Sequence, residues 1–542
     1  MKMQSQEINM PSEATYPGVY SEEIASGVRT ITGVPTAITA FIGRALRGPA
    51  NEPAAINSFA DFTRLFGGLD FNFPMGYAVQ DFFANGGSQA IIVRLEKKSA
   101  RAKNKIIRLE AASPGAWGNA LVYAVDSKNI TAAVAARFGI AKTDLFNLTI
   151  FEIGAGGQVI MVERFLNVAV TAAAGSRRLD QVLADGSHLV RVPLKKNGTS
   201  NLPGKRPVDS APGESPSDPL PNPVRFKKFS GGADGVPLTA ENDFLGDETK
   251  QTGMYALAKA DLFNLLCLPP DTRNGDTPAT VYQKALAYCV KRRALLIVDP
   301  PVAWGAHKTA AVANAIAGLG ALGLNGNEAR NAALYFPRVV EADPQRGGQP
   351  DVFVPCGIVA GVMARTDAQR GVWKAPAGLN ASLVGTQDLQ VNLTDADNGI
   401  LNPVAINCLR FFPAAGRVIW GARTLRGADQ LADEWKPVPV RRTALFIEES
   451  LYRGTQWAVF EPNDEPLWAQ IRLHVGTFLH ELFRQGAFQG ASPKNAYFVK
   501  CDQTTTTPED VQRGLVNLVV GFAPLKPAEF VLIYLQQQAG QT

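Results

Sequence analysis

The chain has 542 residues, which at roughly 150 residues per domain allows three or four domains. It is 46% hydrophobic and 19% charged, which excludes wholesale disorder. A net charge of +5, from 54 basic and 49 acidic side chains, is too small for a protein whose main work is holding nucleic acid. Five cysteines (Cys267, Cys289, Cys356, Cys408 and Cys501) are scattered, odd in number and without a C-x-x-C pair. Neither a disulfide framework nor a cysteine-built zinc site is expected, and a reducing compartment fits better.

Met1 to Tyr20 is polar, with Glu7 and Glu13 where a signal peptide needs an apolar core. No apolar run approaches the roughly 18 residues of a membrane helix. Within this polar start, Tyr16-Pro17-Gly18-Val19-Tyr20 predicts a turn between short extended pieces. The apolar run Ala37 to Gly43 predicts a buried strand. Ser58 and Asp61, spaced like a capping box, open a helix carrying Phe62 and Leu65. A second helix is expected from Met75 to Ala84, stopped by Asn85-Gly86-Gly87, and then a buried strand over Ala90 to Leu95. Residues 106–239 alternate apolar and polar in short stretches, predicting a mostly β surface insertion. Its end carries Pro203, Pro207, Pro212, Pro216, Pro219, Pro221 and Pro223, which remove donors and favour an extended loop.

The α/β pattern then resumes. Strands are predicted over Phe263 to Leu268, Ala294 to Val298 and Ala332 to Phe336, with helices over Ala279 to Arg292 and Lys308 to Leu322. Strands alternating with helices imply a largely parallel or mixed sheet, so the fold class is mixed α/β and multidomain. The divisions drawn are 1–30 as an arm, 31–105 with 240–400 as a discontinuous α/β body, 401–525 as a C-terminal α/β domain and 526–542 as a second arm.

Catalytic patterns fail on spacing. Gly318-Leu319-Gly320-Ala321-Leu322-Gly323 matches G-x-G-x-x-G but ends a helical stretch, whereas a dinucleotide fingerprint opens one. Asp299, after Leu295-Leu296-Ile297-Val298, resembles a strand-end magnesium ligand, yet no G-x-x-x-x-G-K-[ST] loop accompanies it. It reads as a strand terminator before Pro300-Pro301. His474, His480 and Glu481 share a helix, but six-residue spacing turns the two histidines about 600° apart, which suits a surface role better than zinc. No metal, cofactor or catalytic residue is expected.

The helix itself stands out. Leu467, Trp468, Ile471, Val475, Phe478, Leu479, Leu482 and Phe483 make one apolar face. Arg472, Gly476, His480 and Arg484 step along another. Two readings of that polar face stay open, a solvated surface or a recognition face for a partner. Near the end, Phe530-Val531-Leu532-Ile533-Tyr534-Leu535 is continuously apolar and β-prone, and must complete a sheet of this chain or of a neighbour. Two such arms on a weakly charged body suggest a polymer subunit.

These residues resemble the tail sheath proteins of contractile phages, R-type bacteriocins and extracellular injection particles. Tyr16 to Tyr20 with Glu23-Ile24 is similar to the family's N-terminal arm, and Pro114-Gly115-Ala116-Trp117-Gly118-Asn119 to its P-G-x-W-G-N turn. Further likeness lies in Pro355 to Asp367, Gly371-Val372-Trp373-Lys374-Ala375-Pro376-Ala377, and Val418 to Leu425. The densest runs from Arg441 to Leu535, with Phe460-Glu461-Pro462-Asn463 and Gly521 to Phe530. The stretch 120–235 shows no likeness.

The resemblance implies a non-enzymatic structural subunit without cofactors. Such subunits build a six-fold helical sheath around an inner tube and contract from a metastable extended state to drive the tube through a target envelope. Its implied partners are copies of itself, the inner tube protein, baseplate and terminal cap proteins and, as a further option, sheath paralogues. Nucleic acid and direct membrane insertion are not among them. It implies assembly in the bacterial cytoplasm and a place in a phage tail or an injection particle. Tyr16, Val19, Tyr20, Ile24 and Phe530, Val531, Leu532, Ile533, Tyr534, Leu535 are the implied inter-subunit contacts, completing neighbours' sheets by exchanged strands. Arg472, His480 and Arg484 are the implied tube-facing residues. The alternatives are a nucleotide-dependent α/β enzyme, which bound nucleotide would favour, and a non-contracting tube or capsid protein, which would show one helical state.

Overall fold

The computed structural model describes residues 30–210 and 227–530. In chain order, β1 (Thr39–Gly43), β2 (Ala54–Ile56), α1 (Phe59–Phe66), α2 (Met75–Ala84) and β3 (Ala90–Arg94) open the fold. An insertion follows with β4 (Lys103–Asn104), β5 (Leu109–Ala111), β6 (Leu121–Asp126), α3 (Ala132–Phe138), β7 (Phe146–Ile153), β8 (Val159–Val168), α4 (Leu179–Gly186), β9 (Val190–Arg191) and β10 (Lys227–Lys228). Then come α5 (Glu241–Leu245), β11 (Leu265–Cys267), α6 (Ala279–Lys291), β12 (Leu295–Val298), α7 (Val302–Gly305), α8 (Ala311–Leu319) and β13 (Ala332–Phe336). They are followed by β14 (Val339–Asp343), β15 (Gln349–Phe353), α9 (Cys356–Arg370), β16 (Thr386–Leu389), α10 (Asp395–Leu401), β17 (Ile406–Phe412) and β18 (Gly416–Ile419). The last elements are α11 (Val438–Gly454), α12 (Glu465–Arg484), α13 (Pro493–Ala496), β19 (Tyr497–Lys500), α14 (Pro508–Gln512) and β20 (Val519–Phe522).

The described residues form two compact units, one of 35–210, 227–448 and 524–530, the other of 30–34 with Glu449–Ala523. The first unit is built on an eight-stranded sheet in the order β18-β17-β13-β12-β11-β1-β3-β2. Its inner pairs are parallel, and β2 and β18 close the two edges antiparallel. Its strands are runs such as Thr39-Ala40-Phe41-Ile42-Gly43, buried throughout, because helices cover both faces. Alternate residues separate two cores. Ala40, Ile42, Leu266, Leu296, Val298 and Leu334 meet α6 and α8, while Phe41, Ile92, Cys267, Ile297 and Tyr335 meet α1, α2 and α9. The result is the mixed α/β fold that the sequence predicts.

Local signals explain the element ends. Ser58 accepts the Asp61 amide at 3.1 Å to cap α1, and Gly86, at φ 109°, ends α2 where only glycine is relaxed. The insertion leaves and rejoins the body at one point, where Ala100 and Ala233 exchange backbone hydrogen bonds of 2.9 and 3.0 Å. It contains the antiparallel sheet β10-β6-β7-β8, the smaller sheet β4-β5-β9 and its own core around Tyr123, Phe146, Leu148 and Phe229.

Candidate assembly surfaces

In the second unit, α12 begins where Asp464 accepts the Leu467 amide, with Pro466 in its first turn, and it runs 20 residues. Leu467, Trp468, Ile471, Val475, Phe478, Leu479 and Leu482 are buried, which is the apolar face read from the sequence, with Phe483 half-buried at its margin. His474 corrects that reading. It is buried at 3% exposure, its ring 5.3 Å from that of Trp457, and does not lie on the surface. Position 474 lies three residues after Ile471 and four before Phe478, so the apolar stripe includes it.

The polar face carries Arg472, His480 and Arg484 together, but in different states. Arg472 is half-buried, its Nη2 2.5 Å from Glu465 Oε1, while Nη1 donates to the Cys501 carbonyl. His480 is exposed, with Nδ1 3.2 Å from the Tyr497 hydroxyl. Arg484 is exposed at the helix C-terminus, where a cation complements the helix dipole.

Beside α12 lies the antiparallel pair β19–β20, in register from Tyr497↔Phe522 to Lys500↔Val519. Phe488 packs on it, 6.2 Å from the Tyr497 ring and 5.6 Å from that of Phe522. Among the described residues no third strand joins either edge. Phe498 and Val519 are exposed. A two-stranded sheet is marginal alone, and its open edges offer unpaired backbone donors and acceptors.

Of the proposed arm residues, Tyr16, Val19, Tyr20, Ile24, Val531, Leu532, Ile533, Tyr534 and Leu535 lie outside the described residues. Phe530 is described and is 75% exposed. The residue before it is firmly held. Glu529 accepts from Arg423 Nε at 3.0 Å and Nη2 at 2.5 Å, a bidentate fork that sequence reading missed. Both residues lie in stretches that carry the family resemblance, but a pairing across 106 positions leaves no signal in one sequence. The Lys436 ammonium beside neighbouring Asp429 holds that carboxyl below its usual range.

The motifs rejected on spacing are placed as read. The 318–323 glycines end a helix, with Gly323 at φ 64°. Asp299 ends β12, 4% exposed, and its Oδ1 accepts the Cys356 amide at 2.9 Å. A second buried acid site was not legible. Asp81 on α2 and Glu341 on β14 are each 7% exposed, and burial raises both carboxyls above their usual range, Asp81 further through the charge of Glu341. Among the described residues no group of three or more His, Cys, Asp and Glu side chains is arranged to hold a metal. No helix there is long and apolar enough to cross a membrane.

The sequence pattern of the phage tail sheath protein central domain matches residues 249–425, and that of the phage tail sheath C-terminal domain matches 432–538, together just over half the chain. The chain belongs to the phage tail sheath family. Among its sheath relatives, the tail sheath protein of Vibrio phage KVP40 is 25% identical over 178 residues, 33% of this chain and 25% of the phage protein. That of Enterobacteria phage T4 is 26% identical over 176 residues, 32% of this chain and 25% of the relative. The matched stretch thus spans about a quarter of these two relatives. The sheath fold extends further. The sheath of an extracellular contractile injection system, PVC, in its contracted state superposes with a TM-score of 0.55 at 21% identity, covering 97% of this chain and 99% of that one. The sheath tail protein Lin1278 from Listeria innocua gives 0.55 at 14% identity, covering 92% and 96%.

Proposed function

We propose that this chain is a structural subunit of a contractile sheath. It polymerises as a helical array around an inner tube and shortens from a metastable extended state, driving the tube through a target envelope. Membership of the tail sheath family over two adjoining domains carries the reading. Likeness in fold to sheaths solved in the contracted state supports it. Work then comes from the free-energy difference between two packings held apart by a barrier, and needs neither nucleotide nor cofactor. Partners are copies of the chain, a tube protein, and baseplate and cap proteins. Segment 16–24 and the apolar segment 530–535 serve as linking arms that add strands to the open edges of β19–β20 in neighbouring subunits. The insertion 106–239 faces outward, and residues 401–525 form the inner domain. There the polar face of α12, led by Arg484 with His480 and Arg472, meets an acidic tube surface.

Co-production with the cognate tube protein and negative-stain electron microscopy test this. Wild type is expected to form sheathed tubes in two states, the contracted one shorter and wider. Deleting residues 1–30 or 531–542 should leave folded subunits without tubes, and ordered tubes from either deletion would refute strand linkage. Arg484→Glu should reduce sheathing of the tube, whereas undiminished sheathing at low salt would remove α12 from the tube contact.

A further inference from the structure

Between β20 and the apolar run at Phe530 lies an irregular stretch that includes Pro524 and Pro527 and ends on Glu529. The Glu529 carboxylate grips a guanidinium whose side chain is only 1% exposed. The remaining nitrogen of Arg423, Nη1, donates to the Asn402 carbonyl at 2.7 Å and to Asp429 at 3.0 Å. Lys436 Nζ lies 2.5 Å from Asp429 and 4.0 Å from Glu529, completing a neutral cluster of two cations and two carboxylates.

The cluster is tied to the central sheet through backbone. Arg423 N donates to Asn407 Oδ1 at 2.7 Å, and Asn407 Nδ2 donates to the carbonyls of Arg423 at 2.7 Å and Leu334 at 3.0 Å. Asn407 belongs to β17 and Leu334 to β13, which are neighbours in the eight-stranded sheet. An unbroken polar path therefore runs from Glu529 through Arg423 and Asn407 into two parallel strands.

We propose that Glu529 and Arg423 are the mechanical anchor of the C-terminal arm, passing a pull on the segment after Phe530 directly to the central sheet. This rests on the linking role proposed for that segment. A guanidinium stays charged at every accessible pH, so pulling Glu529 away takes from Nε and Nη2 the carboxylate that covers them and breaks two charge-assisted hydrogen bonds at once. The two prolines between β20 and Glu529 restrict the chain leading to the anchor. Residues 524–529 accordingly travel with the central unit, and the arm bends only beyond Glu529.

Hydrogen–deuterium exchange on the unassembled full-length chain tests the anchor, independently of whether sheaths form. In Glu529→Gln, the amides of Leu525, Lys526, Ala528, Glu529 and Phe530 should exchange at least about fivefold faster, with β13 and β17 unchanged. Glu529→Ala, at a carboxylate 27% exposed, should fold and behave the same way. Unchanged exchange in both variants would overturn the proposal. In assembled particles both variants should give sheaths that break into shorter pieces under shear than wild type. Wild-type length and shear resistance despite faster exchange would show that the contact carries no load, and would equally refute the anchor. If wild type forms no sheath, the sheath reading fails first, and the anchor falls with it as a force path.

Discussion

Asp299 shows what a single side chain does here when its charge is taken from water. It closes β12 and accepts the amide of Cys356, the first residue of α9, so that it serves a helix start 57 positions away. Burial pushes its carboxyl from the ordinary 3.8 up to about 7, against the opposing pull of the Cys356 hydrogen bonds and the Arg338 charge. The folded chain therefore holds a proton that the unfolded chain has released between those values. Stability from this residue is complete below the unfolded value and is lost as pH rises through about 7. At about 1.4 kcal/mol per pH decade, the loss approaches roughly 4 kcal/mol between pH 4 and 8. Asp299→Asn keeps an acceptor for Cys356 without the charge. Urea unfolding across that range should show a flatter profile for the variant, and an unaltered profile would disprove the assignment. Asp81 and Glu341 add a dependence of the same sign. The strand-terminating role of Asp299 was legible in its sequence neighbours. Its hold on α9 was not, because nothing local marks a contact made by folding.

At the scale of elements, α2 and α9 cross closely because α9 presents glycines where another residue would place a Cβ. A Cβ at Gly357 would sit 2.0 Å from the Ala78 carbonyl oxygen, and one at Gly361 would sit 2.5 Å from that of Phe82. Gly357→Ala and Gly361→Ala should each cost about 1–3 kcal/mol by forcing the helices apart. Denaturant titration should show a lower midpoint with helix content retained, and unchanged midpoints would mean that the crossing is looser than described. Elements with strong periodicity or clean stops were legible to within a residue or two, as over Met75–Ala84 and Ala332–Phe336. The alanine-rich stretch from Lys308 to Leu322 predicts one helix, but α8 is flanked by 3-10 turns at Lys308–Ala310 and Gly320–Leu322. Its glycines loosen the α geometry near the end.

For the whole molecule, the close approach of Ala100 and Ala233 makes the insertion a detachable loop on the body. Replacing residues 101–232 with a short glycine linker should leave the eight-stranded sheet folded. It would remove the Arg47–Glu152 ion pair at 2.7 Å and the bonds of Gly48 N to Ser113 Oγ at 2.9 Å and of Arg94 Nη2 to the Pro114 carbonyl at 2.8 Å. A cost of about 1–3 kcal/mol is expected from these lost contacts, since the insertion's Trp117, 5.5 Å from the Arg47 guanidinium, leaves with it and opens Arg47 to water. Calorimetry should find one cooperative transition at lower temperature, and a chain without one would show that the insertion is integral to the body.

The sequence by itself determined the mixed α/β class, most strands and helices of the body, the apolar stripe of α12 and the family. Each rests on local periodicity, on stop residues, or on short motifs that survive in a single chain. Tertiary structure alone decided the strand order, the acid pair Asp81–Glu341, the state of each cation on α12 and the grip of Arg423 on Glu529. Those depend on which distant residues meet once apolar faces are buried. As composition, the weak charge of +5 argues against a main role in holding nucleic acid. The net figure hides charges that the fold buries in neutral pairs such as Arg44–Asp271 and Arg442–Asp367, where low dielectric and fixed geometry give each ion a specific partner.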